Sequence, residues 1–317
     1  MQGAGQEKCS CLHTSFIVQE AVAHNVNKGG TVYVAFLDTR KAFDTVWIDG
    51  MLYRLYQEGM NTKTWRLIKD AYTDFKCAIY LDGKTGEWFG PERGVHQGAP
   101  FSMRLYKVFL NDLLKQLRSN NHGVTIGNID VTCPTSADDI AIMALYKVSL
   151  NALLNVAYQY SCKWRFSYNL TKCVAMVHGK EQQTNVPISM GDTQLEIVNV
   201  TKHMGVSLTN DTVTQKNIVS QRIGAGRKVL YAAKGLGSAM APVTPAVLSK
   251  IYWSVAVPKM VYGLDVTPVN DACMAELESA HRQHAKVAQG IPDNIPRPAP
   301  LAILGWLTMQ AYIAMIN

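Results

Sequence analysis

The 317-residue chain is poor in charge and in long apolar runs. Charged residues make up 17% and hydrophobic residues 48%. Disorder needs the reverse balance and is excluded. No stretch approaches the roughly 18 consecutive apolar residues of a membrane span, so no membrane partner is expected. The uncharged stretch Gly235 to Ser249 holds two prolines. No apolar signal core follows Glu7 and Lys8. The seven cysteines include no CxxC pair, which argues against a disulfide framework. Cys273 with His281 and His284 could be called a metal cluster, but three loosely spaced residues usually are not one.

What is present points to two domains. The length suggests two, and the net charge of +7 permits a polyanionic partner without requiring one. Up to about residue 210 the pattern is mixed. Helical periodicity is expected over 12–27, 47–58, 62–73, 102–118 and 148–165. Strands are expected over 31–37, 75–81, 173–178 and 194–200, and strand–turn–strand over 124–146. Asp82-Gly83 signals a hairpin. Beyond 210, segments 212–235, 244–256 and 271–289 read as helices. The expected division is therefore 1–210, mixed α+β, and 211–317, helical.

Asp38 stands at the end of the strand Thr31–Leu37, and Asp138-Asp139 lie in the strand–turn–strand. Carboxylates beside buried apolar runs are costly unless something compensates them. Bound Mg2+ would do so, since hard cations take oxygen ligands, and a metal pair can clamp an in-line phosphoryl displacement. Taken alone, Asp38 also reads as a helix cap and Ala137-Asp138-Asp139 as a solvated turn. Paired acids would equally serve a glycosidase.

The combination is more specific. Phe36-Leu-Asp-Thr-Arg-Lys-Ala-Phe-Asp-Thr-Val46 resembles motif A of the reverse transcriptases of non-LTR (LINE-type) retrotransposons. Gly94-Val-His-Gln-Gly-Ala-Pro-Phe-Ser102 resembles motif B, Ser136-Ala-Asp-Asp139 motif C, and Asn169-Leu-Thr-Lys172 motif D. His203-Met-Gly-Val-Ser-Leu208 resembles the segment before the thumb, and Val257-Pro-Lys-Met-Val-Tyr-Gly263 the region after it. The five motifs from A to the pre-thumb segment occur in family order.

The resemblance implies an RNA-directed DNA polymerase built as a right hand. It would comprise an antiparallel palm with partial fingers over 1–210 and an α-helical thumb and post-thumb region over 211–317. It implies Asp38, Asp138 and Asp139 as ligands of Mg2+, with Mn2+ as a substitute, and Thr39 assisting through its carbonyl. Phe43 would be the gate against a 2′-hydroxyl, although an ordinary core Phe fits there too. Gln97 and Gly98 would meet the incoming nucleotide. Lys172 would serve the departing pyrophosphate, or be a solvated lysine. Asp44 is expected to cap the next helix.

The implied partners are an RNA template, a DNA primer and dNTPs, in the nucleus and cytoplasm. Lys216, Arg222, Arg227, Lys228 and Lys234 would grip the duplex through phosphates, or form a solvated face. Upstream fingers and endonuclease segments of a longer polyprotein are expected before residue 1. Two departures stand out: Ser136 replaces the usual aromatic before Ala-Asp-Asp, and Met103 replaces a proline after motif B. They leave open a second function, an inactive nucleic-acid-binding remnant, and more remotely an unrelated metal-dependent phosphotransferase.

Overall fold

In the computed structural model the described residues are 3, 10–73, 75–96, 99, 101–180, 186–210, 212–237, 243–264, 266–267, 269–292 and 294–316. The chain divides into two compact units, Met1–Asn199 and Val200–Asn317. The division precedes the position near 210 at which the composition changes, because the hairpin 200–209 belongs with the helices that follow it.

The first unit runs α1 (Cys11–Asn27), β1 (Val32–Leu37), α2 (Ile48–Gln57), α3 (Thr62–Thr73), β2 (Tyr80–Leu81), β3 (Lys84–Thr85) and α4 (Ser102–Ser119). It continues with β4 (Thr125–Ile126), β5 (Ile129–Asp130), β6 (Thr135–Ser136), β7 (Asp139–Ala144), α5 (Lys147–Lys163) and β8 (Val174–His178). It closes with β9 (Ser189–Met190), β10 (Thr193–Gln194) and β11 (Glu196–Ile197).

The central sheet has the order β11-β8-β1-β7-β6. β1 lies in the middle and is buried at all six residues. Its β-branched and aromatic run suits a strand covered on both faces. It pairs antiparallel with β7 and β8, whereas β11 joins β8 in parallel. α4 buries Leu105, Tyr106, Phe109, Leu110, Leu113, Leu114 and Leu117. That spacing of three and four is the apolar stripe of a helix facing a core, and the core it enters includes Ile140, Ile142 and Tyr160.

The strand expected over 75–81 is reduced to an isolated bridge, Cys77 to Phe89, and the two-residue pair β2–β3. Its Asp82-Gly83 turn forms as anticipated, with φ of 50° and 79°, the twist a two-residue hairpin favours. Ile79, Tyr80 and Leu81 are exposed. A hairpin without a third strand gains too little burial to lengthen.

The second unit opens with the hairpin β12 (Val200–His203) and β13 (Val206–Thr209), followed by α6 (Thr212–Gly237). Next come α7 (Pro245–Ile251), a π-helical turn (Tyr252–Ala256), α8 (Val257–Val261), α9 (Asp271–Gln289), α10 (Ala299–Leu304) and α11 (Met309–Ile316). The helix expected over 244–256 thus extends to Val261. Pro258 cannot donate to the carbonyl four residues back, and the wider π turn just before it accommodates the loss. α6 buries Val219, Ile223, Leu230 and Ala233, and a Cβ at Gly226 would collide with Met260.

Candidate functional site

Leu37 on β1 pairs with Ile140 on β7. The next step of that register sets Asp38 across from Asp139. β6 and β7 form a hairpin in which Ser136 faces Asp139, so Ala137-Asp138 is its two-residue turn. Ala137 takes a left-handed φ of 56°, which costs a non-glycine residue roughly 1–2 kcal/mol. Pro134 lies just outside β6, the edge strand, where a missing N–H costs no ladder bond. Its carbonyl accepts from Ala141 N at 3.0 Å.

The backbone around Asp38 is fixed on its other side too. Asn169 N donates to the Asp38 carbonyl at 2.8 Å, and Arg40 N to Ser167 O at 3.0 Å. Thr39 bridges Tyr168. Asp38 N points at Cys173 Sγ, 3.4 Å away. Motif D is thereby stitched to motif A, and Lys172 Nζ comes to 4.0 Å from Asp38 Oδ2. Lys172 is 68% exposed and Asp38 40%, so this pair adds little stability.

Motif B is tied to motif A by backbone. Val95 N donates to Phe43 O, and Gly94 N to Val46 O, both at 2.8 Å. Gly94 has φ 103°, and a Cβ there would stand 3.3 Å from Asp44 O, so this position requires glycine. Gln97 and Gly98 lie outside the described residues. The N-cap of α2 is Trp47, so Asp44 does not cap it. Phe43 stacks on Tyr106 of α4, with ring centroids 4.9 Å apart and an interplanar angle of 27°. Tyr106 was not anticipated from sequence, where it reads as one more apolar position on α4.

Electrostatics distinguish this corner from the rest of the unit. Burial raises the Asp138 carboxyl above the usual range, and Asp38 adds to the effect. Asp139 is raised to about 6 by burial, then by Asp138 and Asp38. The three acids therefore sit within electrostatic reach of one another and repel. Such a partly buried oxygen donor set fits a hard divalent cation. No group of three or more His, Cys, Asp or Glu side chains stands preassembled as a metal centre among the described residues. The fit rests on donor chemistry.

The zinc grouping does not form. His281 and His284 instead flank Tyr252, whose hydroxyl lies 2.8 Å and 3.4 Å from their Nδ1 atoms. Tyr252 stacks on Trp306 at 4.4 Å, and His281 Nε2 bonds Leu307 O at 2.9 Å. Cys273 is eight residues from His281 on α9, about 12 Å along the axis at 1.5 Å per residue. Of the basic residues on α6, Lys216, Arg227, Lys228 and Lys234 are exposed. Arg222 is engaged within the unit, donating to Gly205 O at 3.2 Å and lying over Tyr262.

The α+β fold with these ordered motifs belongs to a polymerase class, and sequence comparison names it. A family profile described as Reverse transcriptase (RNA-dependent DNA polymerase) matches residues 5–213. The chain belongs to that family. It is 26% identical over 243 residues to the RNA-directed DNA polymerase from mobile element jockey of Drosophila funebris, covering 73% of this chain and 25% of that protein. It is 28% identical over 213 residues to the retrovirus-related Pol polyprotein from type-1 retrotransposable element R2 of Nasonia vitripennis, covering 61% and 21%. Its relatives are the RNA-directed DNA polymerases of non-LTR retrotransposons. The chain spans about a quarter of the length of the curated relatives it matches. The solved telomerase of Candida albicans, in complex with the TWJ fragment of telomeric RNA, aligns with 92% of this chain and 54% of its own at TM-score 0.45 and 12% identity.

Proposed function

We propose that the chain extends a DNA primer on an RNA template by two-metal nucleotidyl transfer, drawing on dNTPs. The observation that carries this reading is the register of β1 against the β6–β7 hairpin, which gathers Asp38, Asp138 and Asp139 into one repelling cluster. In the reaction the primer 3′-hydroxyl bonds to the α-phosphorus, the bond to the β-phosphate oxygen breaks, and pyrophosphate departs. Mg2+, or Mn2+ in its place, supplies activation of the attacking hydroxyl and neutralisation of phosphate charge when bound.

The chain's own residues do the rest. Asp38, Asp138 and Asp139 hold the ions, with the Thr39 carbonyl beside them. Phe43 fills the space a 2′-hydroxyl would need. Gln97 and Gly98 are assigned to the incoming nucleotide by their place in motif B. Lys172 offers positive charge or a proton to the pyrophosphate. Lys216, Arg227, Lys228 and Lys234 hold duplex phosphates without reading sequence. The setting is intracellular, in the nucleus and cytoplasm.

The test is primer extension on an RNA template with Mg2+ and all four dNTPs, comparing the chain with Asp138→Ala. Extension by the former and a loss of about 1,000-fold or more in the latter is expected, the scale of removing a main electrostatic contributor. Equal behaviour of the two proteins refutes the proposal. Salt-dependent binding of template-primer without extension under any divalent metal would instead mark a binding remnant.

A further inference from the structure

The function proposed above assigns sugar selection to Phe43 but leaves open what holds that ring in place. Two independent features fix it. Its carbonyl accepts from Val95 N at 2.8 Å, so the backbone is clamped by the start of motif B. Its ring lies on Tyr106, nearly parallel at 27°. Tyr106 is 1% exposed and sits one turn into α4, which follows the motif B loop directly. The Ser102 hydroxyl at the start of α4 donates to His96 O of that loop.

Tyr106 is also an odd choice for a purely apolar core. Its hydroxyl is buried beside the Thr39 hydroxyl, and neither makes a hydrogen bond of ordinary geometry. Asp138 and Asp139 lie within electrostatic reach of the phenol. A phenylalanine would avoid burying that poorly satisfied hydroxyl at almost no loss of area. The flat ring therefore stacks on the gate and lies within electrostatic reach of Asp138 and Asp139.

We infer that Tyr106 is a positioning residue for sugar selection, its ring holding Phe43 in the orientation that excludes a 2′-hydroxyl. This rests on the polymerase reading. A Leu or Met at 106 leaves Phe43 free to tilt, and ribonucleotides then gain access. An edge or stacked aromatic pair contributes beyond its buried area, on a scale that corresponds to about tenfold in a selectivity ratio.

The experiment measures single-nucleotide incorporation efficiency for a dNTP and its matching rNTP, on one RNA-templated DNA primer. The proteins are the parent chain, Tyr106→Leu, Tyr106→Met, Tyr106→Phe and Phe43→Val. The deoxy-to-ribo ratio should fall about tenfold in Tyr106→Leu and Tyr106→Met, and stay within about twofold of the parent in Tyr106→Phe. In the Phe43→Val background, adding Tyr106→Leu should lower the ratio no further, because the two act through one ring. A residue that merely fills the core would slow both sugars alike and leave the ratio unchanged; that result overturns the inference. If Tyr106→Leu does not fold, Tyr106→Met, which keeps the volume without the flat ring, decides. A parent chain that incorporates neither sugar refutes the polymerase reading itself and this inference with it, a result distinct from an unchanged ratio.

Discussion

The two units each hold a cluster of ionisable groups, carboxyls in the first and imidazoles in the second, and burial acts on the two clusters in opposite directions. In the first unit the carboxyls of Asp138 and Asp139 are pushed up. In the second, burial pushes His281 down and His284 down to about 4. The imidazoles are neutral and mostly partnered. Tyr252, Trp306 and the Leu307 carbonyl surround His281, although the second nitrogen of His284 is buried without a hydrogen bond. The carboxylates are less compensated, with a backbone hydrogen bond at Asp138 that does not offset its burial. Lys172 approaches only Asp38, at 4.0 Å and largely in solvent. A packed cluster whose members mostly pair is architecture; one whose members repel marks a candidate functional site.

That contrast can be broken most severely at Tyr252, which is fully buried. Tyr252→Ala should destabilise the second unit by about 3–5 kcal/mol, as deletion of a large core ring does. Hydrogen exchange of the α9 amides reads this directly. Unchanged protection there would mean the aromatic–histidine cluster is not the core of that unit.

Acid provides the next test. His281 and His284 are held neutral when folded but protonate near 6.5 when unfolded. Between about pH 6.5 and 4 the unfolded state thus binds more protons, and stability of the second unit falls as pH drops. For His284 this is on the order of 2 kcal/mol. His284→Phe should flatten that pH dependence in denaturant melts at pH 7 and 5. An unaltered slope would show that His284 does not carry this pH dependence.

Asp139 runs the other way. Its folded carboxyl titrates near 6 and its unfolded one near 3.9, so the folded state binds the extra proton between those values. Its contribution to stability is present below about pH 4 and is lost as pH rises through 6. Asp139→Asn should therefore stabilise the first unit at pH 7.5. The gain is about 1 kcal/mol, discounted because the group remains partly in solvent. The smallest effect is expected at Lys172. Lys172→Ala should change stability by less than about 0.5 kcal/mol while slowing extension at the pyrophosphate step. An equal loss of stability and activity would make it a structural lysine.

The strand ends that carry Asp38 and Asp139 were legible in the sequence because an acid after an unbroken apolar strand has few structural uses. The order of the motifs then supplied the polymerase fold. Other features were hidden for physical reasons. Tyr106 is indistinguishable in pattern from the leucines along α4, since period alone does not say which buried ring meets the gate. Pro258 reads as a stop, yet a π turn carries the helix past it. Phe75–Leu81 has strand composition, but among the described residues it pairs only with the short return through Lys84–Phe89. Cys273, His281 and His284 share one helix, and the pattern cannot reveal that Tyr252 from another element occupies the histidines.

The proposed role of the carboxylate cluster in holding the catalytic metals implies that the cluster is kept at the expense of stability. Asp139→Asn tests both halves in one protein: thermal melting at pH 7.5 without divalent metal, and extension of a DNA primer on RNA with Mg2+. The variant should melt higher than the parent and extend the primer at least about 1,000-fold more slowly. A variant that melts lower, or that extends the primer as the parent does, contradicts it.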